Sequence, residues 1–348
     1  MKSKIKIVFI LPSLRAGGTE KVISLIVNRL SRKIFQPYLI VAGFKKDSFF
    51  EINSSEHLIF LNKSRFYYSI RKLHSKIQNL NPNIIFSSSH HINTFLLFYN
   101  LLFKSKVVLR INSIPSFFER RIFFWLKIKS LLFKKVSMII FQSNAIKRDF
   151  ISVYGFDPSN SVIINNPNLI PKNVKLKPCK KPHFITISSL TELKGHKRVI
   201  ECLTKLDVDF LYTIIGDGIL FNELRNFVKE IKLENKIFFV GEKKIPQRYL
   251  HNNSIYLMGS FYEGFPNSIL EVLSLGIPVI AFNSPGGHNE IIREDFNGFL
   301  CKDKNHYTEM IRYSLEKKWN KESIIYDIKK RYNSNKIMNE YSEILKSL

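Results

Sequence analysis

Short apolar runs and helical stretches take turns along the whole chain. "IKIVFIL" (5–11) reads as a buried strand and "PSLRAGGTE" (12–20) as a glycine-bearing loop. "KVISLIVNRLSRK" (21–33) then sets Val22, Ile23, Ile26, Val27 and Leu30 at helical spacing. Strand, glycine loop and helix in that order open an α/β unit. "PYLIVAGF" (37–44) and "HLIFLN" (57–62) follow as strands. "NIIFSSS" (83–89), "KVVLRI" (106–111) and "SMIIFQS" (137–143) are Ile- and Val-rich runs of the kind that parallel strands buried on both faces show. "SIRKLHSKIQNL" (69–80), closed by Asn81-Pro82, and "NAIKRDFISVYG" (144–155) read as helices.

Residues 167–182 interrupt this rhythm with four prolines, five lysines and little periodicity. Afterwards it restarts: "HFITISS" (183–189), a helix from Gly195, "FLYTIIGDG" (210–218), a helix over 219–232, "KIFFVG" (236–241), "SIYLMGS" (254–260), a helix over 267–275 and "PVIAF" (278–282). From about 305 the tail is helical and polar. The length of 348 residues exceeds the usual single core. The expected fold is therefore α/β, with two Rossmann-like domains facing each other across a cleft. The expected division is a first domain over 1–170, a linker over 171–182, a second domain over 183–325, and a C-terminal helix over 326–348 that packs back on the first.

Composition narrows the class. With 45% hydrophobic and 24% charged residues the chain is globular rather than disordered. Lys and Arg number 54 against 28 Asp and Glu, a net charge of +26, which attracts nucleic acid, anionic membrane or phosphorylated small molecules. No zinc spacing, RNP-like aromatic strand or concentrated basic tail supports nucleic acid. Cys179, Cys202 and Cys301 are odd in number and far apart, which suits a reducing cytosol. The apolar run Ile7–Leu11 imitates a signal peptide, but Pro12 and Arg15 cut it short. No run reaches the roughly 18 apolar residues of a membrane span.

Ligands of doubly wound sheets sit at the carboxyl ends of the strands. In the second half those ends carry Thr191, Glu192, Lys194 and Gly195; Asp217 and Gly218; Glu242 and Lys243; "FYEGFPNS" (261–268); and "NSPGGHNE" (283–290). Glu263 and Glu271 stand eight positions apart around a helix start. Pro266 is pre-set for a first helical turn, and Asn267 or Ser268 can cap it. N–H groups there suit a phosphate, whereas a carboxylate suits sugar hydroxyls. Two acids flanking a phosphate cradle fit a sugar–diphosphate–nucleoside; one helix-start acid and one solvated acid fit the spacing equally.

"EGFPNSILE" (263–271) resembles the E-x7-E motif of the retaining, GT-B-fold glycosyltransferases of family four. Five further segments resemble that family in order: "GGTEKV" (17–22), "INNPN" (164–168), "LTELKGHKRVIE" (190–201), the G-D-G block from Gly216, and "SPGGHNEIIREDFNGFL" (284–300). The resemblance implies that Glu271 binds the ribose and Glu263 the donor sugar. Backbone amides of Gly264, Phe265, Pro266, Asn267 and Ser268 would line the sugar and phosphate. Lys194 would pair with the diphosphate, Gly17 and Gly18 would complete that site from the other domain, and the backbone at Gly241 and Glu242 would meet the base. The reaction implied moves a sugar from a nucleotide donor, a UDP-sugar with GDP as alternative, to an acceptor with retention and without a metal or other cofactor.

Two departures stand out. The family's usual arginine five residues before the lysine is Ser189 here, with Lys197 or Arg198 as candidate replacements. Where the family often has a histidine after the fifth strand, this chain offers Arg110 and Asn112. Arg110 is a candidate for the phosphate or acceptor; the alternative is a surface residue at a strand end. Weaker signals are His90-His91, an acceptor pair or a solvated loop pair; Asp217, a loop-orienting residue; and Asp207-Val208-Asp209, a D-x-D that lies before its strand. In "SFFERRIFFWLKIKSLLFKKVSMIIF" (116–141), Arg120, Lys127 and Lys134 recur every seven among large aromatics. That suits a helix in the interface of an anionic membrane, or a buried helix with a basic edge. Together these point to a lipid-linked glycan acceptor, polyprenyl-diphosphate in kind, in capsule, O-antigen or similar lipopolysaccharide assembly. The enzyme would then be cytoplasmic and peripheral on the inner face of the plasma membrane. A catalytically silent sugar-nucleotide or glycan binder of the same fold is the rival. An oxidoreductase is disfavoured because neither "RAGGTE" nor "IGDGIL" matches G-x-G-x-x-G.

Overall fold

The Ile- and Val-rich runs become short parallel strands covered on both faces, which is why they show little polar alternation. The computed structural model describes residues 3–53, 57–102, 104–119, 123–168 and 174–348. Two compact units emerge. The first comprises Met1–Pro167 with Ser334–Leu348, the second Asn168–Asn333.

The first unit holds β1 (Ile5–Leu11), β2 (Phe35–Val41), β3 (Leu58–Phe60), β4 (Ile84–Ser87), β5 (Lys106–Ile111), β6 (Met138–Phe141) and β7 (Ser161–Ile163). They form one sheet in the order β3-β2-β1-β4-β5-β6-β7, and every pair is parallel. The second unit holds β8 (His183–Ile187), β9 (Leu211–Ile215), β10 (Ile237–Phe239), β11 (Ser254–Met258), β12 (Val279–Phe282) and β13 (Gly298–Cys301). Its order, β10-β9-β8-β11-β12-β13, repeats the same plan, again all parallel. In each sheet the chain winds outward in both directions from the first strand. The switch points lie between β1 and β4 and between β8 and β11, where ligands of this architecture bind.

Each unit has its own core. Val8, Ile85, Leu109 and Ile139 meet in the first, and Phe184, Ile214, Leu257 and Ile280 in the second, all inaccessible to solvent. Side chains of this kind contribute roughly 1.5–3 kcal/mol each when fully buried.

The C-terminal helix Ser334–Ser347 completes the first unit. Ile337, Met338, Tyr341 and Leu345 share one buried face, at helical spacing. Arg29 donates to Ser334 Oγ at 2.6 Å where this helix begins. The returning segment therefore begins at Ser334, whereas the sequence suggested 326. Residues up to Arg331 finish a helix of the second unit, Lys321–Arg331, and Arg331 donates there to the carbonyls of Glu290 and Ile291. Of the expected linker, residues 171–173 lie outside the described residues.

The basic, aromatic stretch is not one helix. A turn of helix over Pro115–Phe118 stops at Glu119, whose backbone is extended; a second helix covers Phe123–Phe133, and β6 follows. The seven-residue recurrence therefore does not define a single helical face: Lys127 is helical, Lys134 lies past the helix end, and Arg120 lies outside the described residues. Phe117, Phe118, Phe124, Trp125 and Leu131 are nonetheless exposed, as are Leu101 and Leu102. Among the described residues no helix is long and apolar enough to cross a membrane.

Candidate active site

The site is built where β8 and β11 end. β8 runs into a loop whose short turn, Glu192–Lys194, is closed by Gly195 in the left-handed region, φ +57°. A Cβ on Gly195 would stand 1.9 Å from the carbonyl oxygen of Gly259, so only glycine lets these two strand-end loops touch. The contact carries Lys194 to the loop after β11. Its Nζ donates to Glu263 Oε1 at 2.6 Å, and Ser260 Oγ donates to the same oxygen at 2.5 Å. The Lys194 and Glu263 side chains are 21% and 12% exposed. The Glu263 backbone is pinned in turn: its N–H donates to Pro285 O, and Gly287 N–H donates to Gly264 O.

Glu271 lies one helical turn further, on helix Asn267–Leu273, and is only 5% exposed. It accepts a hydrogen bond of 2.8 Å from Gln247 Nε2, a side chain that is itself buried. Burying a carboxylate requires such a donor. Tyr256, on β11, feels the charge of both acids. Burial raises its pKa, and the charges of Glu263 and Glu271 both push it the same way. Its hydroxyl donates to Ser268 Oγ at 2.8 Å, so Ser268 braces the helix against the sheet. Pro266 itself is the N-cap residue, and Asn267 and Ser268 are the first residues of the helix proper, so the cap position falls one residue before the two that the sequence suggested. Phe265 is buried edge-on against Tyr332.

The remaining strand-end glycines stitch the loops together. Gly216 N–H donates to Gly241 O, and Asp217 O accepts from Leu190 N–H. Asp217 also accepts from Gly218 N–H at 2.7 Å, the loop-orienting role expected of it. Gly216 thus spends its amide on the loop, while Glu242 stays exposed beside it. His288 was passed over in the sequence because the helix it opens, His288–Ile291, is too short to show a spacing signature. It is fully buried, lies 3.4 Å from Ser284 Oγ, and burial lowers its pKa to about 4. Ser284 in turn donates to Ser260 O. His196, held to about 4 by burial, contacts Ser188 Oγ and Ser189 O and fixes the β8 loop.

Neither candidate for the missing arginine reaches this centre. Arg198 lies between Phe261 and Phe282, 4.0 Å from each ring centroid, and donates to Gly259 O and Ser260 O. Lys197 Nζ sits over Phe227, 4.9 Å from the ring centroid. Arg198 supports the loop that carries Glu263 instead of presenting a cation. Ser189 is exposed at the strand end.

In the first unit, Gly17 precedes helix Gly18–Arg29 at the end of β1, and the Glu20 carboxyl folds back against it: a Cβ on Gly17 would come within 2.2 Å of Glu20 Oε2. Burial raises the pKa of Glu20. Asn112 donates to Thr19 at the same strand edge. Arg110 is a correction. It has no solvent exposure, and its guanidinium donates to Tyr341, Ser88 and Asn166. The C-terminal helix covers the strand end that the sequence left open, so Arg110 is a buried tie between β5 and that helix and not a surface residue. Asp209 of the D-x-D pairs with Lys181 at 2.6 Å, and among the described residues no group of three His, Cys, Asp or Glu is placed to hold a metal ion.

The family model of glycosyl transferases group 1 matches residues 170–331, and that of glycosyltransferase family 4 matches residues 16–167. The chain is 24% identical to the N-acetylgalactosamine-N,N'-diacetylbacillosaminyl-diphospho-undecaprenol 4-alpha-N-acetylgalactosaminyltransferase of Campylobacter jejuni, over 84% of this chain and 85% of that protein. It is 29% identical to a lipopolysaccharide 1,6-galactosyltransferase of Salmonella typhimurium, over 45% of this chain and 46% of that one. Anabaena HepE, solved in complex with UDP and glucose, superimposes with a TM-score of 0.81 at 19% identity, covering 99% of this chain and all of that one.

Proposed function

The chain belongs to the GT-B glycosyltransferases, and we propose that it moves a sugar from a UDP-sugar to a lipid-linked glycan, with the anomeric configuration retained. The observation that carries this reading is the division of labour at the β8–β11 switch point. One carboxylate is held against a partly exposed cation, Lys194, and the other against a buried amide, Gln247.

Each group then has a task. Glu271 accepts hydrogen bonds from the ribose hydroxyls, with Gln247 fixing its orientation. Lys194 turns from Glu263 to the diphosphate, and Glu263 accepts from the sugar hydroxyls instead. The bond between the anomeric carbon and the diphosphate oxygen breaks while the bond to the acceptor oxygen forms on the same face. The acceptor's proton passes to the diphosphate. Lys194 and the backbone N–H groups of Gly264, Phe265, Asn267 and Ser268 meet the charge that develops on the leaving group, usually the largest share of such a barrier reduction. No metal is assigned a part.

Support for the donor comes from HepE, whose structure holds UDP and glucose. Support for the acceptor comes from the Campylobacter relative, whose name includes a diphospho-undecaprenol. The exposed Phe124, Trp125 and Leu131 beside Lys127 suit a peripheral seat on an anionic membrane, where such an acceptor would lie, in surface-polysaccharide assembly.

Thermal shift with UDP tests the reading. At one hundred times its dissociation constant a ligand adds about 2.7 kcal/mol of stability. The shift is expected in the wild type, to be lost in Glu271→Ala and to shrink in Gln247→Leu. An undiminished shift in Glu271→Ala would place the nucleotide elsewhere.

A further inference from the structure

The hydroxyl of Tyr256 lies at the switch point of the second sheet. It comes from β11 and reaches two oxygens, Ser268 Oγ at 2.8 Å and the carbonyl of Ile187, the last residue of β8, at 3.2 Å. Ligands of this architecture bind beside that place. Tyr256 is 1% exposed and Ser268 half-buried, so the pair runs from the core to an accessible position on the segment between Glu263 and Glu271.

The bond has a direction. A phenol carries one proton, and burial together with the charges of Glu263 and Glu271 holds the Tyr256 pKa above its usual range, so the proton stays. Ser268 Oγ accepts it at the shorter of the two distances, which leaves the serine's own proton to donate elsewhere. Among the described residues no other side chain or carbonyl meets Ser268 Oγ. Bracing alone does not call for this arrangement. Two apolar groups would join the helix to the sheet as well, without two hydroxyls to desolvate.

The chemistry selects the partner. Ser268 Oγ already accepts, so it suits a group that only accepts in return. Phosphate oxygens do so, whereas sugar and ribose hydroxyls bring protons of their own. A hydroxyl that receives a hydrogen bond donates a stronger one, and most strongly to an anion.

We propose that Ser268 Oγ donates to the diphosphate of the nucleotide sugar, and that Tyr256 is the positioning residue that directs this proton. The proposal rests on the glycosyltransferase reading above and adds to it a side-chain contact beyond the backbone N–H groups. Negative charge gathers on the diphosphate as its bond to the anomeric carbon breaks, so the Ser268 hydrogen bond strengthens along the reaction.

The test compares the dissociation constants of the full chain for UDP and for uridine, which keeps the base and ribose and lacks the phosphates. Ser268→Ala is expected to weaken UDP about ten- to a hundredfold, the worth of one hydrogen bond to a charged group, and to leave uridine unchanged. Ser268→Thr keeps the hydroxyl and should restore most of the UDP affinity. Tyr256→Phe should weaken UDP about three- to tenfold in the otherwise wild-type chain and not at all in Ser268→Ala, because the phenol acts through the serine. Losses that simply add in the double variant would reduce Tyr256 to a brace and overturn its positioning role. Equal losses of UDP and uridine in Ser268→Ala would reveal a disturbed helix and overturn the proposal, as would undiminished UDP binding in that variant. In each of these cases the wild type still binds UDP, and the donor reading stands. A wild-type chain silent toward both ligands would strike the donor reading itself, and this proposal with it.

Discussion

Arg110 offers the sharpest separation of a structural from a catalytic role. Its three guanidinium nitrogens donate to Tyr341, Ser88 and Asn166, and no carboxylate is among these partners. Hydrogen bonds to a charged group contribute about 1.5–3 kcal/mol each. Arg110→Met removes these bonds, and those to the Gln142 side-chain oxygen, and leaves their polar partners in a dry interior, while sparing the cost of keeping a cation there. The balance is a loss of about 3 kcal/mol, which for a unit of this size lowers its melting temperature by roughly 6–12 °C. The loss should be local first. Helix Ser334–Ser347 hangs on Tyr341, so its amides should exchange faster in hydrogen–deuterium exchange than those of β1 or β4. Arg110→Lys should recover only part of the stability, since one ammonium cannot span three acceptors set around a planar fork. A variant with unchanged melting and unchanged exchange in that helix, but with transfer reduced a hundredfold, would refute the structural assignment.

The other predictions follow from the second unit and the exposed aromatics. His183, His196 and His288 are buried and held to about 4, against an ordinary 6.5. Between those values the unfolded chain binds protons that the folded one refuses, so stability falls as pH drops through that window and levels off below it. Each histidine accounts for about 3 kcal/mol at most, and a urea midpoint that is flat between pH 7 and pH 5 would contradict this. Because Arg198 and Lys197 point away from the strand end, Ser189→Arg should add a cation for the leaving diphosphate and raise donor turnover; an unchanged rate in steady-state kinetics would argue that the charge is already met. Phe124→Ser with Trp125→Ser should abolish cosedimentation with phosphatidylglycerol vesicles and leave UDP binding intact; undiminished sedimentation would remove the membrane seat.

The central strands were legible because burial on both faces leaves little but Ile, Val and Phe in them, and β1 and β5 follow their apolar runs residue for residue. β7 and β13 were not. Ser161–Ile163 and Gly298–Cys301 are edge strands of three and four residues, too short for any period to show. The site divides the same way. Lys194, Glu263 and Glu271 are marked by fixed spacing, but their partners are not: Gln247 lies in a polar stretch, and only the fold brings its amide to Glu271. Arg110 misled because a charged residue at a strand end normally faces water. Its partner Tyr341 is 231 positions away, a separation at which sequence pattern carries no information. Arg198 misled by being cationic in the right segment while its guanidinium is spent between two rings.

The arrangement of the two acids has a consequence for the donor. Glu263 shares its Oε1 between Lys194 and Ser260, so a diphosphate that draws Lys194 away leaves a poorly solvated carboxylate short of one donor. A sugar hydroxyl restores it. Glu271 makes no such exchange, since Gln247 stays with it throughout. On the proposed reading, then, diphosphate and sugar bind cooperatively through Glu263, while the ribose contributes independently through Glu271. UDP alone should therefore bind more weakly than its contacts suggest. Glu263→Gln, which leaves Lys194 without its counter-ion until a diphosphate supplies one, should hold UDP at least as tightly as the wild type while losing the added affinity of the intact UDP-sugar.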